Sequence, residues 1–233
     1  MKNSLIKMIH DNQNQHWWHR SKREILDYII SPYLKKNLLV LDYGCGAGNN
    51  LIIFNKLNKI DVFEKSKLAK KIIKKNFKKV NVINKLTKTY DIILCSDVLE
   101  HINNDKLIID TFYKHLKKNG KLIITVPANP YLFTNKDKEQ GHYRRYQIND
   151  IKILFKNFKN IYLSYYNFYL FFLIAPLLFI MNLFNIKITN KVEKKPNVLI
   201  NKLLFYIFSS EKYIIKKKIR FPMGLSLIGI FTR

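Results

Sequence analysis

The sequence predicts an α/β fold in which helices cover both faces of a doubly wound parallel sheet. Three observations predict it: short apolar runs alternate with segments of helical periodicity, a glycine-rich turn follows the first run, and turn residues close several of the runs. Such alternation is typical of βαβ units with right-handed crossovers. The length of 233 residues fits one such domain, with or without a sizeable insertion.

Seven apolar runs are predicted as strands. The first ends in turn residues after Asp42, the fifth is closed by Pro127, and the last is β-prone. Apolar residues at helical spacing predict helices between them, and Asn119-Gly120 is a good helix stop. The predicted strands are 37–42, 60–63, 80–83, 90–95, 121–126, 161–166 and 225–231; the predicted helices are 49–57, 66–78, 104–118 and 148–157.

The formal net charge of +26 suggests nucleic acid or an anionic membrane as a partner. Lysines in 65–79 repeat at helical spacing opposite an apolar face, however, so we interpret them first as a solvated helix face. No stretch in 1–23 resembles a signal peptide. Cys45 and Cys95 form no zinc pattern. We therefore expect a reducing, cytoplasmic compartment.

The motif with the clearest chemistry is the turn from Asp42 to Gly48, which reads D-x-G-x-G-x-G. It lies where the first strand meets the first helix, which is where ligands bind in doubly wound sheets. Asn49 breaks the dinucleotide pattern G-x-G-x-x-G. Glu64 follows the second strand, sixteen residues after Gly48. A carboxylate in that position can accept hydrogen bonds from both hydroxyls of a ribose.

The series LDYGCGAG, DVFEKS, YDIILCSDVLEHI and LKKNGKLIITVP resembles class I S-adenosylmethionine-dependent methyltransferases over residues 37–127. The resemblance implies a Rossmann-like sheet of order 3-2-1-4-5-7-6 with the last strand antiparallel, and S-adenosylmethionine as the cofactor. It places the methionine part beside the glycine turn, the ribose at Glu64, and Asn84 where the family often has an acidic contact to adenine. The cofactor-binding residues predicted in this way are Asp42, Gly44, Cys45, Gly46, Glu64, Lys65, Asn84, Ser96 and Asp97.

The segments 126–146, 16–20 and 221–226 also resemble a bacterial subgroup of methyltransferase-domain proteins, often associated with glycan or lipid assembly. That resemblance leaves the methyl acceptor open.

Two histidines are candidates for a catalytic base near the predicted pocket, because imidazole titrates near neutral pH. They are His101, after the fourth strand, and His142, in the loop after the fifth. Each also has a purely structural alternative. The other histidines show no ligand spacing, so we expect no metal. The residues predicted to bind the substrate are Trp17 and Trp18 in a lid, and Tyr143, Arg144, Arg145 and Tyr146 around an anionic or sugar-like group. The alternative for Trp17 and Trp18 is that they pack an N-terminal helix onto the sheet.

We divide the chain into an N-terminal helical lid (1–36), a methyltransferase domain (37–167 and 219–233) and an apolar and basic helical insertion (168–218). The apolar run 168–184 reaches the lower limit of a membrane span. Pro176, basic flanks on both sides and the return of the chain to the same sheet argue against spanning. We therefore predict that 168–208 lies on, or dips into, the inner leaflet; a buried helix or a homodimer interface is the alternative.

The resulting hypothesis is a methyltransferase on the cytoplasmic face of a membrane. The acceptor would be a hydroxyl or carboxyl of a small-molecule, saccharide or lipid-linked substrate, with O-methylation favoured. An RNA methyltransferase fits the charge but not the apolar insertion. A non-catalytic scaffold on the same fold is the second alternative.

Overall fold

A single seven-stranded sheet organises the protein, in the order β3-β2-β1-β4-β5-β7-β6. The computed structural model describes residues 3–55, 57, 59–184, 186 and 196–233, without the side chains of 3–5. The neighbouring pairs from β3 to β5 are parallel, and β7 is antiparallel to both β5 and β6. The predicted fold class and strand order are confirmed. The strands are β1 (Val40–Tyr43), β2 (Ile60–Phe63), β3 (Val80–Ile83), β4 (Tyr90–Ser96), β5 (Leu116–Pro127), β6 (Lys159–Tyr166) and β7 (Ser226–Thr232).

Helices pack on both faces of the sheet, and their bounds follow side-chain caps where the sequence offers them. Ser66 caps one helix by accepting a hydrogen bond from the backbone N–H of Ala69, and Asn104 caps another in the same way. The helices are α1 (Asn3–Asn12), α2 (Trp17–Ile30), α3 (Lys67–Asn76), α4 (Asp105–His115), α5 (Asn135–Gln140), α6 (Ile148–Leu154), α7 (Phe171–Leu183) and α8 (Val198–Lys216).

Three local predictions were wrong. Instead of a helix over 49–57, the structure has only a short 3₁₀ turn at Leu51–Phe54. Asparagines at 49, 50 and 55 explain this, because their side chains compete for backbone hydrogen bonds. The predicted helix 104–118 ends at His115, since Leu116 already pairs with β4. Within the predicted loop after β5, α5 begins at a capping box of Thr134 and Asp137.

The insertion divides into two helices with different surroundings. The α8 helix packs against α2 and buries Phe205 and Phe208 there. The rings of Trp17, Trp18 and Tyr166 surround Phe208, with centroids 6.1, 5.3 and 5.9 Å from it. One face of α8 therefore belongs to the protein core, as in the buried-helix alternative for this part of the insertion.

The α7 helix, by contrast, leaves most of its apolar side chains in solvent. Of its 13 residues only Ala175 is buried, and Pro176, the next residue, lies inside the helix. At 1.5 Å per residue the helix is about 20 Å long, against about 30 Å for a bilayer core. Among the described residues, no helix combines the length and the apolar character that a membrane span requires.

Removing the aromatic ring at the junction of α2 and α8 should destabilise the protein. We expect Phe208→Ala to lower the free energy of unfolding by about 3–5 kcal/mol, because Phe208 is fully buried and the substitution leaves a cavity. Urea unfolding followed by circular dichroism measures the change. Tyr206→Ala, on the exposed side of the same helix, is the control. Equal losses in both variants would contradict the packing described.

Candidate functional site

The glycine-rich turn after β1 opens the sheet edge for a ligand. Gly44, Gly46 and Gly48 all have positive φ, which side chains other than glycine rarely adopt. A Cβ atom at Gly44 would lie 2.5 Å from the Val98 side chain, so this glycine lets the turn approach the segment after β4. A Cβ at Gly46 would meet nothing within 4 Å. The turn therefore borders open space at Gly46.

Glu64 fixes this turn to the end of β2. One carboxylate oxygen accepts a hydrogen bond from the backbone N–H of Gly46 at 2.9 Å, and the other accepts from that of Ser66 at 2.7 Å. A carboxylate has about four lone-pair sites, so each oxygen can accept one more hydrogen bond. The arrangement leaves capacity for two ligand hydroxyls at the predicted place.

Asp42 is buried at the end of β1, and its Oδ2 atom accepts no hydrogen bond from any residue that the structure describes. Burial raises the pKa of this carboxyl to about 7; the Glu64 charge adds to the shift and the Lys22 ammonium opposes it. A buried acceptor without a donor costs free energy. Asp42 is therefore suited to a ligand that brings a donor or a positive charge.

Lys22 is a residue of this site that the sequence analysis missed. It lies on the buried face of α2 and forms an ion pair with Asp97. Asp97 has a positive φ of 53° and accepts a second hydrogen bond from the Thr125 hydroxyl at 2.9 Å, while Ser96 contacts the same hydroxyl. A signal was available: positions 22, 25, 26 and 29 share one helix face, and a lysine among apolar residues there points inward.

The remaining predicted cofactor residues lie around this centre. Cys45 is buried in the glycine turn, and burial raises the pKa of its thiol. Lys65 and Asn84 are exposed, after β2 and β3. Asn84 accepts a hydrogen bond from the Lys70 ammonium at 2.7 Å. Their cofactor contacts stay predictions.

A second group of residues assembles beside this centre through the loop after β5. The Asp137 carboxylate accepts hydrogen bonds from the Arg145 guanidinium, at 3.1 and 2.9 Å, and from the backbone N–H of Thr134. It also contacts Nδ1 of His142 at 2.9 Å. Burial alone would raise the pKa of Asp137, but these partners hold it well below its usual range. Asp137, which the sequence analysis missed, thus fixes His142 in place.

The loop brings the ring of His142 into contact with the ring of His101, which lies shortly after β4. The two rings meet edge to face with centroids 4.6 Å apart. Burial lowers the pKa of His101, and His142 lowers it further. Glu100 is buried next to them, and one ligand atom each of Glu100, His101 and His142 lies within 4.8 Å of the others. Both predicted catalytic histidines therefore share one cluster.

Three of the four residues predicted to bind the substrate at 143–146 have partners inside the protein, and their contact with a substrate stays a prediction. Arg145 already binds both oxygens of Asp137. Arg144 binds Asp105 and the carbonyl of Asn103, so both guanidinium groups hold the loop. Tyr146 is buried and donates its hydroxyl to Asp105, which removes it from the surface. Tyr143 is 60% exposed, and its contact with the substrate stays a prediction.

Trp17 and Trp18 lie at the start of α2, packed against Phe208. The backbone N–H of Trp17 also donates to the Asn201 side chain at 2.9 Å. These contacts are those of the packing alternative. The lid role stays a prediction.

Known proteins resemble parts of this chain. The family model described as a methyltransferase domain matches residues 14–159. A ubiquinone biosynthesis O-methyltransferase of Rickettsia akari is 31% identical over 142 residues, which cover 48% of this chain and 55% of that protein. An uncharacterized protein of Methanocaldococcus jannaschii is 34% identical over 125 residues, covering 52% and 51%. The chain spans about half the length of these curated relatives.

Solved structures show the same fold at low sequence identity. The plantazolicin methyltransferase BamL, crystallised with S-adenosylhomocysteine, aligns with a TM-score of 0.60 at 14% identity, covering 99% of this chain and 90% of that one. A methyltransferase of Archaeoglobus fulgidus aligns with a TM-score of 0.56 at 17% identity, covering 91% and 94%.

The buried Asp42 carboxyl should make stability depend on pH. Its pKa of about 7 exceeds the ordinary value of about 3.9, so the folded protein keeps this proton to higher pH than the unfolded chain does. The cost of ionising Asp42 is absent below pH of about 4 and complete above pH of about 7.

We therefore expect Asp42→Asn to raise the free energy of unfolding at pH 8. This increase should become smaller by up to about 1.4 kcal/mol for each pH unit between pH 7 and pH 5. Urea midpoints across this range measure it. Asp27→Asn, at an exposed position, is the control. A gain that is constant with pH would exclude the effect.

Proposed function

The chain belongs to the methyltransferase-domain family and is an S-adenosylmethionine-dependent methyltransferase, and from this premise we propose that it methylates a hydroxyl group on a small amphipathic molecule. Membership in the methyltransferase-domain family favours an enzyme over the non-catalytic alternative. The proposal concerns the acceptor, and the observation that supports it is the cluster of Glu100, His101 and His142 beside the predicted cofactor site.

The residues at the sheet edge fit the cofactor. Glu64 has accepting capacity for two ribose hydroxyls, and Asp42 offers an unpartnered carboxylate to the cationic methionine part. The space at Gly46 lets a ligand approach the backbone. S-adenosylmethionine supplies a methyl group on a sulfonium, which an acceptor atom displaces in line. The protein must orient that acceptor and, for a hydroxyl, take up its proton.

The histidine cluster supplies what a hydroxyl acceptor needs. Burial lowers the pKa of His101, so its imidazole is neutral at physiological pH. His101 follows Asp97 by four residues, after the carboxyl end of β4, so the cluster adjoins the predicted cofactor residues. An amine acceptor that is already neutral needs no such group. The printed names of the Rickettsia relatives, O-methyltransferases of ubiquinone biosynthesis, also favour an oxygen acceptor.

An RNA acceptor is the second candidate, and it rests on the net charge of +26 alone. The exposed apolar side chains of α7 have no function in that interpretation. We therefore favour a small amphipathic acceptor.

The test uses a catechol that carries a short isoprenoid chain, together with methyl-labelled S-adenosylmethionine. We expect the label to move to a catechol oxygen. His142→Gln should lower kcat by about 100-fold or more, the range for loss of acid–base catalysis, with little change in cofactor affinity. His115→Gln is the matched control. His115 contacts the carbonyl of Lys88, just before β4, so it lies at the opposite end of this strand from the histidine cluster.

Two results would overturn the proposal. One is efficient transfer to RNA with none to hydroxyl compounds; the other is a kcat that His142→Gln leaves unchanged.

We also propose that the exposed side of the insertion binds an anionic membrane surface, from which an amphipathic acceptor would reach the site. The side chains that face solvent on α7 and at the start of α8 are large and apolar, and most are more than half exposed. They are Phe172, Leu173, Leu177, Phe179, Ile180 and Leu183 on α7, and Val198, Leu199, Ile200 and Leu203 on α8.

Charge favours a membrane over a second copy of the chain as the partner of this face. Lysines at 187, 191, 194 and 195 lie between α7 and α8 in the sequence, outside the residues whose structure is described. A homodimer through this face would bring two strongly basic molecules together, whereas anionic lipid headgroups attract them at about 1 kcal/mol per basic residue near the surface.

Vesicle sedimentation tests the membrane proposal. We expect binding to phosphatidylglycerol-containing vesicles, weak binding to phosphatidylcholine, and at least tenfold weaker binding after Leu173→Glu with Leu177→Glu. Leu107→Glu, at an exposed leucine of α4, should change nothing. A concentration-dependent dimer that the double variant dissociates, without vesicle binding, would favour the homodimer instead.

A further inference from the structure

The cluster of Glu100, His101 and His142 contains a buried acceptor atom that no donor in the described part of the chain reaches. Glu100 is buried, with 1% of its surface exposed, and its Oε2 atom has no hydrogen-bond partner among the residues that the structure describes. The three side chains come from two segments, since Glu100 and His101 follow β4 and His142 follows α5. The two histidines are 41 residues apart, which is not a spacing typical of metal ligands, so the sequence analysis expected no metal.

Hydrogen bonds at the outer nitrogen of each ring fix the histidine tautomers. Nδ1 of His101 lies 3.2 Å from the carbonyl oxygen of Gly141, and a carbonyl can only accept, so this nitrogen donates. Nδ1 of His142 lies 2.9 Å from the Asp137 carboxylate and donates to it. In the neutral rings, Nε2 then carries a lone pair in both histidines. One ligand atom from each of the three residues lies within 4.8 Å of the others. The nitrogen that each ring leaves free for a cation is Nε2.

We infer that Glu100, His101 and His142 together bind one divalent transition-metal ion, with Zn²⁺ as the preferred ion. Zinc bonds of about 2.0–2.2 Å place two ligands of one ion up to about 4.4 Å apart. The three ligand atoms lie within 4.8 Å of one another, so small side-chain rotations bring them onto one ion.

The ligand types decide between classes of metal. Two imidazoles and one carboxylate form a set that catalytic zinc sites use, with a fourth position open to water or substrate. Mg²⁺ prefers oxygen ligands and retains its water, so this set suits it less well. The Asp137 carboxylate and the Gly141 carbonyl act as the outer partners that orient ligand histidines in known metal sites.

This inference rests on the proposed O-methylation and assigns activation of the acceptor hydroxyl to a bound cation in place of a histidine base. A divalent cation beside the acceptor lowers the pKa of its hydroxyl, whose proton passes to solvent. The new oxygen–methyl bond forms as the sulfonium–methyl bond breaks, and the cofactor leaves as an uncharged thioether. No electrons are exchanged with an external reagent.

A metal-free arrangement is the competing account. Burial raises the pKa of Glu100 well above its usual range, and the Asp97 charge adds to the shift. A protonated Glu100 could then donate to an imidazole Nε2 without any cation. The two accounts differ in whether the protein binds Zn²⁺ at one site through these side chains.

The experiment titrates chelator-treated protein with Zn²⁺ by calorimetry and with Co²⁺ by visible absorption, which reports the ligand field around the ion. We expect one site per chain. His142→Gln and Glu100→Gln should each weaken Zn²⁺ binding at least tenfold, or about 1.4 kcal/mol, and alter the Co²⁺ spectrum. His115→Gln should change neither. Because Glu100 is buried, binding of S-adenosylmethionine by each variant confirms that it is folded.

The outcomes separate this inference from the proposed function. Folded protein that binds no Zn²⁺, or whose affinity for it His142→Gln leaves unchanged, overturns the metal site. If methyl transfer to hydroxyl compounds then persists with chelator present, the proposed function stands without it. Zinc binding through these ligands, with no methyl transfer to any hydroxyl compound, supports the metal site and overturns the proposed function.

Discussion

The buried ammonium group of Lys22 is the constraint on which the centre of the protein depends. It pairs with Asp97, and its charge also opposes the raised pKa values of Asp42 and Glu100. Without a carboxylate partner, the buried ammonium would be an uncompensated charge, which is unfavourable. Because Lys22 belongs to α2, the carboxylates at the sheet edge acquire this counter-charge only when α2 is docked. The predicted cofactor site and α2 therefore depend on each other electrostatically.

The α2 helix is in turn held by the insertion. Its Ser21 hydroxyl donates to the carbonyl of Phe205, and Lys212 on α8 pairs with Glu24. The carboxylate of Glu211 accepts three backbone N–H groups at the start of the insertion, from Asn167 to Tyr169. The insertion therefore connects an exposed apolar surface on one side to the helix that carries Lys22 on the other. Its two helices therefore differ in their surroundings: α7 is mostly exposed, and α8 is partly buried.

Most of the sheet could be predicted from the sequence, because buried parallel strands are short apolar runs with clear ends. The Asp42 turn and Glu64 were predictable for the same reason, since both follow directly from strand ends. The structure of 49–57 was not predictable in this way. Its apolar residues have helical spacing, but its asparagines favour a turn. The contact of His101 with His142, and the function of Asp137, depend on the path of one loop. No local pattern shows where a loop returns, so the pairing of Arg145 with Asp137 could not be predicted.

The position of β7 between β5 and β6 has a consequence for synthesis. The strands β5 and β6 share no ladder with each other, so each keeps an open edge until residues 226–232 have been made. All seven residues of β7 are buried, and they are translated after α7 and α8. A nascent chain therefore displays its apolar helix before its sheet can close. On the ribosome, the exposed apolar surface of α7 is therefore present before the sheet is complete.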